Sequence, residues 1–158
     1  MIRDELCRLI RLNEEERWVP TPDALRQLDE RFGKNLVPDL IECLADGHPD
    51  VRHLAVELLS EARAESAIPA LIERLTDEDW LVQVAVIFHI RFFGALAVEA
   101  IPYLEPWLEA LHEFPRALAA TAIVMLDAER TDLLPRIWDA TTSDNPCVRD
   151  IAQEFWGE

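Results

Sequence analysis

Between residues 50 and 62 the apolar positions fall at helical spacing. Val51, Leu54, Ala55, Leu58, Leu59 and Ala62 form one stripe, while Asp50, His53, Glu57 and Glu61 face the other way. This helix belongs to a series. Four short segments resemble one another: Leu36-Val37-Pro38-Asp39-Leu40-Ile41, Ala67-Ile68-Pro69-Ala70-Leu71-Ile72, Ala100-Ile101-Pro102-Tyr103-Leu104-Glu105 and Leu133-Leu134-Pro135-Arg136-Ile137-Trp138. Their prolines lie 31, 33 and 33 residues apart. Each proline opens an apolar stretch of helical period, as in a first helical turn where the missing N–H costs nothing. A second helix is predicted around Val51-Arg52, Val82-Gln83, Pro115-Arg116 and Val148-Arg149, with small residues three positions on at Ala55, Val86, Ala119 and Ala152. Stepping 31 residues back from Pro38 reaches Cys7, with Ala24 at the matching later offset and Thr21-Pro22-Asp23 as a helix start. The pattern predicts about five antiparallel helix pairs, stacked closely through their small residues.

The runs Ala67-Ile68-Pro69-Ala70-Leu71-Ile72-Glu73-Arg74-Leu75-Thr76-Asp77-Glu78-Asp79 and Asp46-Gly47-His48-Pro49-Asp50-Val51-Arg52-His53-Leu54-Ala55 resemble the HEAT repeats, especially the short bacterial, phycobilisome-lyase-like type. The resemblance implies an all-α fold, a right-handed α-α superhelix. It reads the chain as a single domain over 1–158, with a degenerate N-terminal cap pair at 2–33 and repeats at about 34–64, 65–97, 98–130 and 131–158. It also implies a structural ladder of Asp at the inter-helix turn and Arg six residues later. Asp46 and Arg52 match it; Gln83 follows Asp77 instead, Ala110 stands where the fourth Asp would be, and Asp144 and Arg149 are one residue too close.

In such solenoids the second helices tend to line the concave side. Transferring the offsets of Asp50, His53, Glu57 and Glu61 to the third repeat gives Leu81, Val84, Phe88 and Phe92, opposite a core set of Val82, Ala85, Val86, His89, Ile90 and Phe93. That helix is apolar nearly all round. The fourth repeat gives the milder set Phe114, Ala117, Thr121 and Met125, and the fifth returns to Cys147, Asp150 and Glu154; the first gives Val19, Pro22, Arg26 and Glu30. Two readings stand. Either a shifted register buries these side chains within the chain, or an apolar centre with a polar rim forms an interface. The interface reading takes Leu81, Val84, Phe88, Arg91 and Phe92 as anchors, with Trp80 and Met125 beside them.

Composition narrows the partner. The 158 residues are 50% hydrophobic and carry a formal net charge of −16, enough apolar material for a core and the wrong sign for phosphate backbones or anionic membranes. The expected partner is another protein, a basic one by charge, with a second copy of the chain as the other option. No secretory signal or bilayer-spanning stretch is predicted, and Cys7, Cys43 and Cys147 read as reduced thiols of a cytoplasmic protein.

Chemistry is sparse. His48 and His53 lack a third ligand, one His112-Glu113 pair cannot assemble a di-iron site, and four glycines leave little for a phosphate loop. No catalytic, cofactor or metal residues are assigned. Trp18, Trp80, Trp107, Trp138 and Trp156 read mostly as packing, and Glu14-Glu15-Glu16 as a solvated run. The reading is a non-enzymatic protein-binding module, a scaffold, adaptor or immunity-like protein. The alternative is a subunit of a bilin-lyase-like or other HEAT-repeat enzyme, with a cavity near His89.

Overall fold

The helices begin where the prolines and small residues place them. The computed structural model describes residues 1–14 and 21–157; Glu15, Glu16, Trp18 and Val19, named above, lie outside the described residues. Among the described residues there are α-helices and 3-10 turns and no strand. The chain divides into two compact units, Met1–His89 and Ile90–Glu158, where the repeat pattern predicts one domain; the division cuts the third repeat.

The first unit holds α1 (Ile2–Glu14), α2 (Thr21–Phe32), α3 (Leu36–Cys43), α4 (Pro49–Glu61), α5 (Ile68–Glu73) and α6 (Trp80–Ile90), whose last residue belongs to the second unit. The second unit holds α7 (Ile101–Leu104), α8 (Glu113–Leu126), α9 (Leu134–Ala140) and α10 (Pro146–Trp156). Pro69, Pro102 and Pro135 stand in the first turns of α5, α7 and α9. The helices α4, α6, α8 and α10 each open two residues before the predicted marker pair. Ala24, Ala55, Val86, Ala119 and Ala152 are all buried, so the recurring small residues are close-approach points between helices.

On α4 the predicted stripe is the core face: Val51, Ala55, Leu58 and Leu59 are buried, with Leu54 and Ala62 half-buried, and Asp50 and Glu61 exposed. In the second unit α8 is packed on by the segment 91–100, the turn Glu105–Glu109, α9 and α10. That crowding buries Ala117 and Thr121, which offset transfer had placed outward. Gly94 makes the 91–100 segment possible. Its φ of 55° and ψ of −144° lie in a region that a Cβ excludes.

By length and composition one helical run, Trp80–Glu109, is apolar enough to cross a bilayer, where the sequence reading expected none. The run is not one α-helix. It turns 3-10 after Ile90 and breaks at Gly94 and Ala97, and 44% of its most apolar window is buried within the protein.

Candidate functional site

Within the first unit, the turn before α6 is held by a buried charge network. Arg52 of α4 donates from Nε and Nη2 to the two carboxylate oxygens of Asp77 at 3.0 and 2.7 Å. Its Nη1 donates to the Asp46 carbonyl at 2.8 Å. Arg74 adds a third contact to Asp77 at 3.3 Å. The Asp77 carboxylate in turn accepts the Asp79 N–H at 2.9 Å, and Gln83 donates to the Asp77 carbonyl at 2.6 Å. Asp79 caps α6, accepting the N–H groups of Leu81 and Val82 at 2.9 and 3.2 Å, which satisfies donors the helix start leaves open.

The ladder implied by the resemblance therefore runs between repeats. Arg52 pairs with the Asp of the following repeat, and Asp46 takes Arg3 at 2.6 Å instead. What recurs within each repeat is a bond back to the carbonyl six residues earlier: Arg52 to Asp46, Gln83 to Asp77, Arg116 to Ala110 and Arg149 to Ser143. Gln83 is thus a working substitute for that bond. Its amide lacks the charge for a carboxylate, and the next repeat has Ala110 in the Asp position.

Burial opposes ionisation of Asp77, but the hydrogen bonds from Arg52 and the Asp79 N–H, with the positive charges of Arg52 and Arg74, outweigh it and hold its carboxyl below the usual range. The hydrogen bonds that Arg52 donates to the Asp77 carboxylate hold the guanidinium further above its ordinary value. Both side chains are almost wholly buried, at 4% and 1% exposure.

This clamped turn presents the predicted apolar face. Trp80 and Leu81 project at the start of α6 and are 47% and 57% exposed. Val84 and Phe88, one and two turns on along the same face, are half-buried, and the Phe88 ring meets His89 edge-on at 5.0 Å. Of the predicted core set Val82, Ala85, Val86, Ile90 and Phe93 are buried, while His89 is half-buried and Ile87, outside that set, is fully buried. The equivalent face of α4 carries the exposed acids Asp50 and Glu61, and Glu78 beside α6 is exposed.

The remaining predicted anchors lie in the second unit, and Arg91 is a correction. Arg91 is 1% exposed rather than on the surface. Its guanidinium lies over the Phe92 ring, 4.7 Å from the centroid, and meets the Glu154 carboxylate at 3.0 and 3.2 Å. Arg91 was added to the transferred positions as an anchor beside Phe92, and it turns inward because the helix gives way to a 3-10 turn there, which changes where successive side chains point. Phe92 is half-buried and Met125 is 38% exposed.

Sequence reasoning missed several exposed apolar side chains, among them Leu96, Tyr103, Leu111 and Trp138. Trp138, read as packing, is 62% exposed. The signal was available: Leu133, Ile137 and Ala140 are the buried stripe of this helix region, and Trp138 falls off that stripe.

Each unit also carries cavities. In the first, a groove of 460 Å³ is bounded by residues including Arg3, Phe32, Asp39, Glu42 and Cys43. In the second, one of 300 Å³ lies among Glu113, Arg116, Arg136 and Asp139. Burial, reinforced by the nearby Asp46 and Asp39 carboxylates, pushes the Cys43 thiol up to about 11, which keeps it protonated and unreactive at neutral pH. Among the described residues no group of three or more His, Cys, Asp or Glu is placed to hold a metal ion.

Comparison with known proteins gives the family. The HEAT repeats profile matches residues 37–124. The chain is similar to a chain in the structure of the complex of CpcE and CpcF of phycocyanin lyase from Nostoc sp. PCC7120, at 24% identity and a TM-score of 0.67. The match covers 85% of this chain and 54% of that one, so this chain spans about half its length. No curated protein matches. The profile match takes in the clamped turn and the whole of α6, and the chain belongs to the HEAT-repeat family.

Proposed function

We propose that the chain is a non-enzymatic protein-binding module whose contact surface is the α6 face formed by Trp80, Leu81, Val84 and Phe88. One observation carries the reading: two large apolar side chains, Trp80 and Leu81, stand about half exposed on a turn fixed by a buried ion-pair network. An apolar centre rimmed by polar groups is how interfaces are composed, and a pre-ordered anchor loses less conformational freedom on binding.

The partner is a basic protein. Asp50, Glu61 and Glu78 are exposed in this unit, and the net charge of −16 steers cationic surfaces inward while repelling a second copy. An adaptor or immunity-like role follows from such occlusive binding. The similar structure from Nostoc is itself a complex of two proteins, which supports assembly with a partner as a use of this fold.

The test is site-directed photo-crosslinking in the native cell, with the reactive residue placed at position 81 and, as a control, at the exposed position 61. A discrete adduct with a basic protein from position 81 supports the reading. No adduct, or the same adducts from both positions, would sink it.

A further inference from the structure

The groove of 460 Å³ in the first unit carries acidic groups that the chain itself does not match. Ile2 and Phe32 give it apolar lining, and Asp39 and Glu42 of α3 give it an acidic side. The other charged groups at its edge are paired from within: Asp46 takes Arg3 at 2.6 and 3.4 Å, and the Met1 amine meets Asp4 at 3.1 Å. Asp39 and Glu42 differ. Among the described residues neither carboxylate holds an ion pair or a side-chain hydrogen bond. Three residues apart on one helix, they are neighbours on its surface.

A second observation reports the field in the groove. Cys43 lines it at 6% exposure. Burial pushes this thiol up, and the Asp46, Asp39 and Glu42 charges push it further, against the pull of Arg3. The potential at this wall is therefore negative even with Arg3 in place.

We propose that this groove takes a lysine side chain of a basic partner protein, with its alkyl stem against Ile2 and Phe32 and its ammonium between Asp39 and Glu42. Charge complementarity selects the occupant. A lysine buries its methylenes and keeps its cation at a wet rim, which is what a half-buried Asp39 and an exposed Glu42 offer. An ammonium has three donors that rotate to meet two separate carboxylates, whereas the flat guanidinium fork matches one. Arg31 already lies over the Phe32 ring at 5.4 Å and is matched by Glu5, so the ring adds apolar contact. A second copy of the chain fits poorly, because it brings a net charge of −16 and a single lysine, Lys34. This inference stands on its own residues and does not rest on the α6 reading.

The experiment titrates the full chain, isotope-labelled at its methyl groups, with Nα-acetyl-lysine methylamide in about 50 mM salt. The Ile2 methyl resonances are expected to shift saturably with a Kd on the order of millimolar, while that of Met125 stays in place. Asp39→Asn and Glu42→Gln should each weaken binding about two- to fivefold. Glu61→Gln, which removes an exposed acid of α4 outside the groove, should leave it unchanged. The same probe acetylated on Nε should not bind, and its arginine counterpart should bind more weakly. Equal shifts with the Nε-acetylated probe, equal affinity for the arginine counterpart, or groove variants that bind like the wild type or like Glu61→Gln would overturn the proposal.

Discussion

Arg52 and Asp77 are joined in a bidentate pair through the Nε–Nη2 edge of the guanidinium, at 3.0 and 2.7 Å, with almost no exposure of either side chain. The arginine comes from the second repeat and the aspartate from the third, so the pair fastens one helix pair to the next within the first unit. It also sets the turn from which Trp80 and Leu81 project. Architecture and candidate surface therefore share one interaction.

Removing one partner exposes that dependence. Asp77→Ala leaves Arg52 charged and buried without its carboxylate, a change expected to cost about 3–5 kcal/mol. It also frees the Asp79 N–H that Asp77 accepts. Urea unfolding of the variant should show a clearly lower midpoint, where a mere surface pair would move it little.

The same carboxylate sets an acid limit. The folded state holds Asp77 below its usual range, so its contribution is complete above the unfolded carboxylate value near 3.9 and is lost as pH falls through the lowered folded value. Stability measured from about pH 7 to 5 should owe no slope to this group, with the loss appearing below about pH 4. Asp77→Asn should flatten that acid limb.

Gly94→Ala isolates backbone strain in the second unit. An added Cβ would meet nothing closer than the Met125 carbonyl oxygen at 4.0 Å, so crowding is not the obstacle. The cost comes from the conformation, φ 55° and ψ −144°, and should be about 1–3 kcal/mol by thermal or urea unfolding.

The three thiols should separate by reactivity. Cys147 is exposed, Cys7 half-buried and Cys43 buried with its thiol raised to about 11. Iodoacetamide at neutral pH should modify Cys147 first and leave Cys43 intact until the fold opens, as read by peptide mass spectrometry. Since the unfolded thiol ionises near 9.0 while the folded one does not until about 11, stability should also decline as pH rises through that interval.

Much of the fold was legible because proline placement and helical periodicity are local signals. Pro69, Pro102 and Pro135 open their helices, and Ala55, Val86, Ala119 and Ala152 mark buried approach points. The site was legible where α6 stays regular, which is why Leu81 is exposed and Val82 buried. It failed at Arg91, past the end of that helix, and at Ala117 and Thr121, where neighbouring segments enclose α8. Neither event leaves a mark in a periodic pattern. The partner of Arg52 escaped for a related reason: spacing pairs it with Asp46, but distance pairs it with Asp77.

The central claim is that the α6 face is a contact surface rather than core. The most direct test is the double variant Trp80→Gln and Leu81→Gln, with binding to the crosslinked partner and thermal stability measured side by side. Residues this exposed should shift Tm by no more than about 2–4 °C, while partner binding falls at least about tenfold. A collapse in Tm, or undiminished binding at unchanged Tm, would contradict the account.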